Sequence, residues 1–272
     1  MSSSPAVRFL YGTQLGRMLL QGILRTRADR LAVRFLRSGL SKPLVGRYAR
    51  KNGIELPQDH PYRCFQSFFC RKQPKQGVDI APDHLISPYD GWHSLFPIAA
   101  DSSFLVKGSQ YKLADLLEDP TASEVFCGGD CLIFRLTPSD YHRYCYVDSG
   151  FQEENHFIEG ALHSVQDAAC RRYPVYVLNR RCRTLFQTEH FGRVAQIEVG
   201  AMVVGGIVNH RENCQIRKGE EMGYFDLAGS SIVMLFQSGQ IKLLPDIMEG
   251  LAGAKEVRVE YGRQIGTALR QS

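Results

Sequence analysis

The stretch Gly223-Tyr224-Phe225-Asp226-Leu227-Ala228-Gly229-Ser230-Ser231-Ile232-Val233-Met234-Leu235-Phe236 decides how this chain is read. Its last five residues are apolar, led by two β-branched ones, and read as a buried strand. That strand could begin directly after Leu227, yet Ala-Gly-Ser-Ser interrupts it. Glycine admits backbone dihedrals closed to other residues and leaves its own carbonyl unshielded by a side chain. A serine following it can turn its hydroxyl back onto that carbonyl. Gly and Ser are also ordinary turn residues, so the tetrapeptide taken alone reads first as a tight β-turn.

Working outward, the chain is that of a globular protein. Its 272 residues are 44% apolar and 22% charged, enough for a sizeable core. The net charge of +5 conceals an asymmetry: residues 1–51 hold eleven Lys or Arg against the single Asp29, and the remainder is acidic by five. A basic arm on a mildly acidic body points to an anionic partner. The eight cysteines are scattered, with no CxxC, and no secretory signal pattern opens the chain, so reduced thiols are expected. No HxxxH or HExxH spacing occurs, so no metal site is expected. No apolar run approaches the roughly 18–20 residues of a membrane span.

From Val7 to Arg37 the pattern is helical. Leu24, Ala28, Leu31 and Phe35 form one apolar stripe, and Arg27, Arg30, Arg34 and Arg37 form a cationic stripe beside it. Gly39 and Pro43 are the expected stop signals. Such a helix can lie in a membrane interface, where each basic residue near an anionic surface contributes about 1 kcal/mol. The competing reading is a helix packed on the body with a solvated arginine face. Nucleic acid is not the expected partner, because no aromatic platform or groove-reading motif accompanies the charge.

Beyond residue 51 the pattern changes to short apolar segments punctuated by Gly, Pro and Asp, a β-rich domain. Ser87-Pro88-Tyr89-Asp90-Gly91 reads by itself as a turn. Ile133 to Leu136 reads as a strand leading into Asp140-Tyr141-His142-Arg143, where a lone histidine is ordinarily structural. Gly192 to Ile207 alternates apolar residues with glycine, as in closely packed strands with tight bends.

Three of these segments together, in this order, resemble the phosphatidylserine decarboxylase family: Ser-Pro-x-Asp-Gly at 87–91, Asp-Tyr-His-Arg at 140–143, and Gly-Ser-Ser at 229–231 before an apolar strand. The resemblance runs from about residue 60 to 245. It implies an α+β protein whose β-rich catalytic body, sandwich-like with lipoyl-type strands, follows basic amphipathic N-terminal helices. It implies two regions, a membrane-contact arm over 1–51 and a decarboxylase domain over 52–272. The Gly229–Ser230 bond would cleave itself, giving chains 1–229 and 230–272 that stay together, with Ser230 becoming a covalent pyruvoyl cofactor. The substrate implied is phosphatidylserine, taken from an anionic membrane by a peripheral protein. The cytoplasmic face of a bacterial membrane is the expected location, though the Arg-rich N-terminus also suits a mitochondrial transit segment.

Carried over residue by residue, the resemblance gives His142 as the base that activates Ser230 and Asp90 as the carboxylate supporting it. Many relatives have a second histidine where this chain has Cys145. Either His142 does both tasks or another histidine, with His163 the nearest candidate, enters the site. His142 is the preferred reading, since an ordinary thiol is a poor base at neutral pH. Asn179, Arg180, Thr188, Glu189 and His210 fall in further matching stretches, whereas His60, His84, His93, His156 and His190 receive no role. Two other functions fit parts of the pattern. A pyruvoyl enzyme for a soluble amino acid would keep Ser230 without needing the arm; a non-catalytic membrane-binding β-domain would keep the arm and stay uncut.

Overall fold

The computed structural model describes residues 3–26, 29–57, 61–72, 77–106, 109–137, 139–201, 206–227, 231–254 and 256–269. The apolar run at 232–236 forms, with Ser231, the strand Ser231–Phe236, and all six residues are buried. It runs antiparallel between Arg193–Val199 on one side and Asp130–Arg135 on the other. Among the described residues these three are the middle of a nine-stranded sheet. Its order is Cys214–Ile216, Gly150–Gln152, Arg181–Thr188, Arg193–Val199, Ser231–Phe236, Asp130–Arg135, Gly91–Pro97 and Val257–Val259, with His156–Ile158 also paired to Arg181–Thr188.

Strand side chains alternate between the two faces of a sheet, and here each face has its own core. Ile133, Val233, Leu235, Ala195 and Ile197 point into one, Leu132, Phe134, Ile232, Met234 and Phe236 into the other. The first is covered by helical segments that supply Leu113, Leu116, Val175 and Tyr176. The second is covered by two smaller antiparallel sheets. One joins Gly206–Asn209, Glu221–Asp226 and Arg143–Cys145; the other joins His84–Ile86, Gln264–Ala268 and Ile241–Leu243. A sheet packed on sheets, with helices on the far face, is the α+β arrangement expected.

The N-terminal region differs from the expectation in three respects. The helical pattern of 7–37 is interrupted at Thr13, which is extended between Pro5–Gly12 and Gln14–Thr26, and helix is described again over Asp29–Leu36. Of the two stripes, Arg27 and Ala28 lie outside the described residues. Pro43 does not stop a helix; it begins one, Lys42–Asn52, where a missing N–H costs nothing. Gly53, at φ 64°, closes that helix. Finally, Arg37 is not part of a free cationic face, because its guanidinium pairs with Asp226 in the body.

These helices are built into the body. Val7, Tyr11 and Leu20 belong to the first core. Val45 and Ala49 form a third cluster with Phe65, Phe68, Phe69 and Leu227. What they leave outward is apolar: Phe9, Leu15, Met18, Leu19, Ile23, Leu31, Phe35 and Leu40 are exposed, Met18 by 71%. Leu15, Met18, Leu19 and Ile23 share one face of Gln14–Thr26, at i, i+3, i+4 and i+8. Among the described residues no helix is long and apolar enough to cross a membrane.

Candidate active site

Ala228, Gly229 and Ser230 lie outside the described residues; the segments on both sides of them are well defined. On the upstream side, the Phe225 N–H donates to the His142 carbonyl at 2.9 Å. On the downstream side, the Ile232 N–H donates to the buried Tyr89 hydroxyl at 3.3 Å. The two motifs are themselves joined, since the Cys145 N–H donates to the Pro88 carbonyl at 2.9 Å. Sequence segments 87–91 and 140–145 thus meet the described residues on either side of 228–230. Leu227 enters it at φ 59°, a left-handed conformation that costs a leucine roughly 1–2 kcal/mol. Packing of its side chain in the third apolar cluster holds it there.

His142 is 1% exposed, and its ring lies 3.9 Å from that of Phe69, centroid to centroid. Neither ring nitrogen has a well-aligned hydrogen-bond partner. Burial, with a smaller contribution from the Arg71 charge, pushes its pKa down to about 3. The imidazole, with the Asp140 backbone beside it, is therefore neutral at physiological pH.

Asp90 accepts from the Tyr261 N–H at 2.7 Å, and burial raises its pKa. The structure gives it no direct hydrogen bond to His142; its charge acts on Arg71, which in turn acts on His142. Asp140, the first residue of the second motif, accepts from the Thr137 N–H and hydroxyl at 2.6 and 2.8 Å and pairs with Arg258 at 2.9 Å. Arg143 binds the Cys70 carbonyl at 2.7 Å and Glu221 at 2.6 Å. These two residues hold the turn that carries His142 against the C-terminal segment on one side and the Phe65–Phe69 helix on the other.

The Cys145 thiol is fully buried and points at the Pro88 carbonyl at 3.5 Å. His163 belongs elsewhere: its Nδ1 is 3.2 Å from the Tyr11 hydroxyl and its ring stacks on Tyr173 at 4.8 Å. Asn179 receives the His163 N–H at 2.9 Å and donates to the Gly200 carbonyl at 2.7 Å, a scaffold role at the end of a central strand. Arg180 pairs with the exposed Glu159, and the Thr188 hydroxyl donates to the Gly192 carbonyl at 2.7 Å. The Glu189 N–H donates to the Ser149 carbonyl, and His210 Nε2 lies 2.9 Å from Glu221.

Sequence reasoning missed three residues here. Tyr89 is the unspecified position of Ser-Pro-x-Asp-Gly, yet its hydroxyl anchors the strand that follows residues 228–230. Phe69 and Arg71 come from Phe-Phe-Cys-Arg, and both flank His142. An arginine two positions after an aromatic pair, at a helix end, was the available signal. Among the described residues no group of His, Cys, Asp and Glu is arranged to hold a metal.

A family model described as phosphatidylserine decarboxylase matches residues 65–267. The chain is 38% identical over 265 residues to phosphatidylserine decarboxylase proenzyme 2 of Clostridium acetobutylicum, covering 96% of this chain and 91% of the relative. It is 33% identical over 270 residues to the phosphatidylserine decarboxylase proenzyme of Clostridium perfringens, covering 96% and 92%. With the proenzyme of Desulfitobacterium hafniense the identity is 32% over 270 residues, covering 96% and 91%. A match of this extent, spanning all three converging segments, settles the lineage: the chain belongs to the phosphatidylserine decarboxylase family.

Proposed function

We propose that this chain is a phosphatidylserine decarboxylase proenzyme that splits its own Gly229–Ser230 bond and then converts phosphatidylserine to phosphatidylethanolamine and carbon dioxide. One observation carries the reading: a buried imidazole with no aligned partner, His142, is bonded through its own carbonyl to the strand that leads into 228–230. In the splitting reaction His142 takes the Ser230 hydroxyl proton, and the oxygen attacks the Gly229 carbonyl. The peptide C–N bond gives way to a C–O ester. Elimination of the Gly229 carboxylate leaves dehydroalanine, and water then releases ammonia and leaves a pyruvoyl group on the new chain end.

The described residues fit such a group, since the neutral imidazole of His142 and the hydroxyl of Tyr89 belong to segments bonded to Phe225 and Ile232, on either side of the residues that would bear it. When present, the pyruvoyl carbonyl supplies an electron sink for the carbanion left by loss of carbon dioxide. His142 serves again as the group that moves a proton. Asp90 counters the Arg71 charge that would otherwise oppose an imidazolium in this pocket. A pKa pushed down to about 3 makes His142 a weak base, adequate for a maturation that occurs once per molecule.

The exposed face Leu15-Met18-Leu19-Ile23 and the surrounding basic residues support contact with an anionic bilayer, from which a lipid substrate would be drawn. The smaller chain would stay in place after splitting, because Ser231–Phe236 is paired on both sides within the sheet.

The test is intact-mass analysis and a denaturing gel of the purified protein, followed by turnover on phosphatidylserine vesicles and on free serine. The expected result is chains of 229 and 43 residues that co-elute under native conditions, with activity on the vesicles. Ser230→Ala should remain one full-length, inactive chain. Splitting at this bond in Ser230→Ala, or vesicle activity from an uncut chain, refutes the processing scheme. Turnover of free serine but not of the lipid refutes the substrate.

A further inference from the structure

Around His142 the described arginines fall into two kinds. Arg37, Arg135, Arg143 and Arg258 each pair with a carboxylate, respectively of Asp226, Glu256, Glu221 and Asp140. Arg71 does not. It is 6% exposed, and its Nε has no hydrogen-bond partner. Among the described residues its Nη2 reaches the Ser139 carbonyl, at 3.5 Å, and its guanidinium lies 5.1 Å over the Phe68 ring. No carboxylate among the described residues lies within ion-pair distance of it. Burying a cation without a paired anion is costly, and the cost is recovered only when an anion arrives.

Arg71 stands beside the reaction site. Residue 69 stacks on His142, the carbonyls of residues 70 and 71 receive the Arg143 guanidinium, and Arg71 itself reaches back to Ser139. The segment 69–71 therefore runs along 139–143, which puts the Arg71 guanidinium, without an ion pair among the described residues, beside the His142 imidazole. A guanidinium presents a planar fork of donors suited to two oxygens of a phosphate or carboxylate.

Building on the reading above, we propose that Arg71 binds the phosphodiester of the phosphatidylserine headgroup. The headgroup has two anions, and the reaction separates them. The carboxylate loses its charge as carbon dioxide leaves, so a cation bound to it would stabilise the ground state more than the transition state and slow the reaction. The phosphodiester keeps its charge throughout, so holding it fixes the serine group at no kinetic cost. The cation belongs on the phosphodiester.

The test uses the full-length protein as wild type, Arg71→Leu and Arg71→Lys. Each is titrated calorimetrically with glycerophosphoethanolamine, which has the phosphodiester and no carboxylate, and with free serine, which has the reverse. Turnover on phosphatidylserine vesicles is measured in parallel, and chain splitting is the control for folding. In Arg71→Leu, affinity for glycerophosphoethanolamine should fall on the order of 10- to 100-fold, the loss expected for a charged hydrogen bond. KM for the lipid should rise with it, serine binding should be unchanged, and Arg71→Lys should recover part of the loss.

Unchanged phosphodiester affinity in a leucine variant that splits normally overturns the proposal. Loss of serine binding instead assigns Arg71 to the carboxylate and equally overturns it. If Arg71→Leu does not split, Arg71→Lys decides: a several-fold rise in lipid KM is expected, and an unchanged KM refutes the role. A wild type that neither binds glycerophosphoethanolamine nor turns over the lipid refutes the underlying function, an outcome distinct from these.

Discussion

Replacing His93 with phenylalanine tests how buried imidazoles set the acid limit of this fold. His93 lies on the Gly91–Pro97 strand, fully buried, opposite Phe134 and 4.8 Å from its ring. Neither ring nitrogen has a partner, and burial alone pushes its pKa from 6.5 down to about 4. Because the folded pKa is the lower one, the unfolded chain takes the proton first as pH falls. The stability at stake is complete above pH 6.5 and is lost as pH falls from 6.5 towards 4.

At pH 5 the loss from His93 is about 2 kcal/mol, at about 1.4 kcal/mol per pH unit below 6.5. For a chain of this size that is roughly 4–8 °C in Tm. His142 adds a loss of the same sign. Glu198, fully buried and raised to about 7, adds one of the opposite sign, since its stabilisation fades as pH rises from 4.5 to 7. Both are present in wild type and variant alike and cancel in the comparison. The assay is thermal unfolding of wild type and His93→Phe at pH 7 and pH 5. The Tm difference should move by roughly 4–8 °C in favour of the variant on going to pH 5. A difference that stays constant with pH means that His93 is protonated in the folded state or already hydrogen-bonded, and refutes the reasoning.

Two further outcomes are expected. In a time course of chain splitting, His142→Ala should be slowed on the order of 100-fold or more and Asp90→Ala should also stay largely uncut, whereas Cys145→Ala, whose buried thiol faces the Pro88 carbonyl and is a poor base, should split at close to the normal rate; normal splitting in His142→Ala with blockage in Cys145→Ala or His163→Ala would place the base elsewhere. Met18→Glu and Leu19→Glu should each weaken binding to anionic vesicles about tenfold, through the lost burial of one apolar side chain, while splitting continues and remaining affinity falls with salt. These point changes are preferable to removing 1–51, which would also extract Val7, Tyr11, Leu20, Val45 and Ala49 from the cores; salt-independent or unaltered binding in both variants counts against the membrane face.

Much of the fold was legible because it depends on local composition. A five-residue apolar run can hardly be anything but buried, and Ile232–Phe236 is indeed in the central strand of the large sheet. The change from helices to strands was legible in kind but not in place: expected near residue 51, it comes after a further helix, Phe65–Phe69, and the first described strand begins at His84. The break at Thr13 was not legible, because one amphipathic period of 3.6 fits a single long helix and shorter successive ones equally well. The fate of Pro43 was a matter of context, since proline ends one helix and begins another with the same ring.

The candidate site divides along the same line. His142, Asp90 and the Gly229–Ser230 bond were identified from short motifs, each contiguous in the chain. The sequence alone determined which chemical groups the protein has and, through the resemblance its motifs carry, which family the chain belongs to. Only the tertiary structure decided what surrounds them. It set Tyr89 on Ile232 across 143 residues of sequence, tied Cys145 to Pro88, carried His163 away to Tyr11, and brought Arg71 beside His142 with no carboxylate of the described residues within ion-pair distance. The physical reason is that burial and hydrogen-bond partners are properties of the packed chain. The same histidine or arginine is an ordinary solvated base or cation until long-range contacts remove its water.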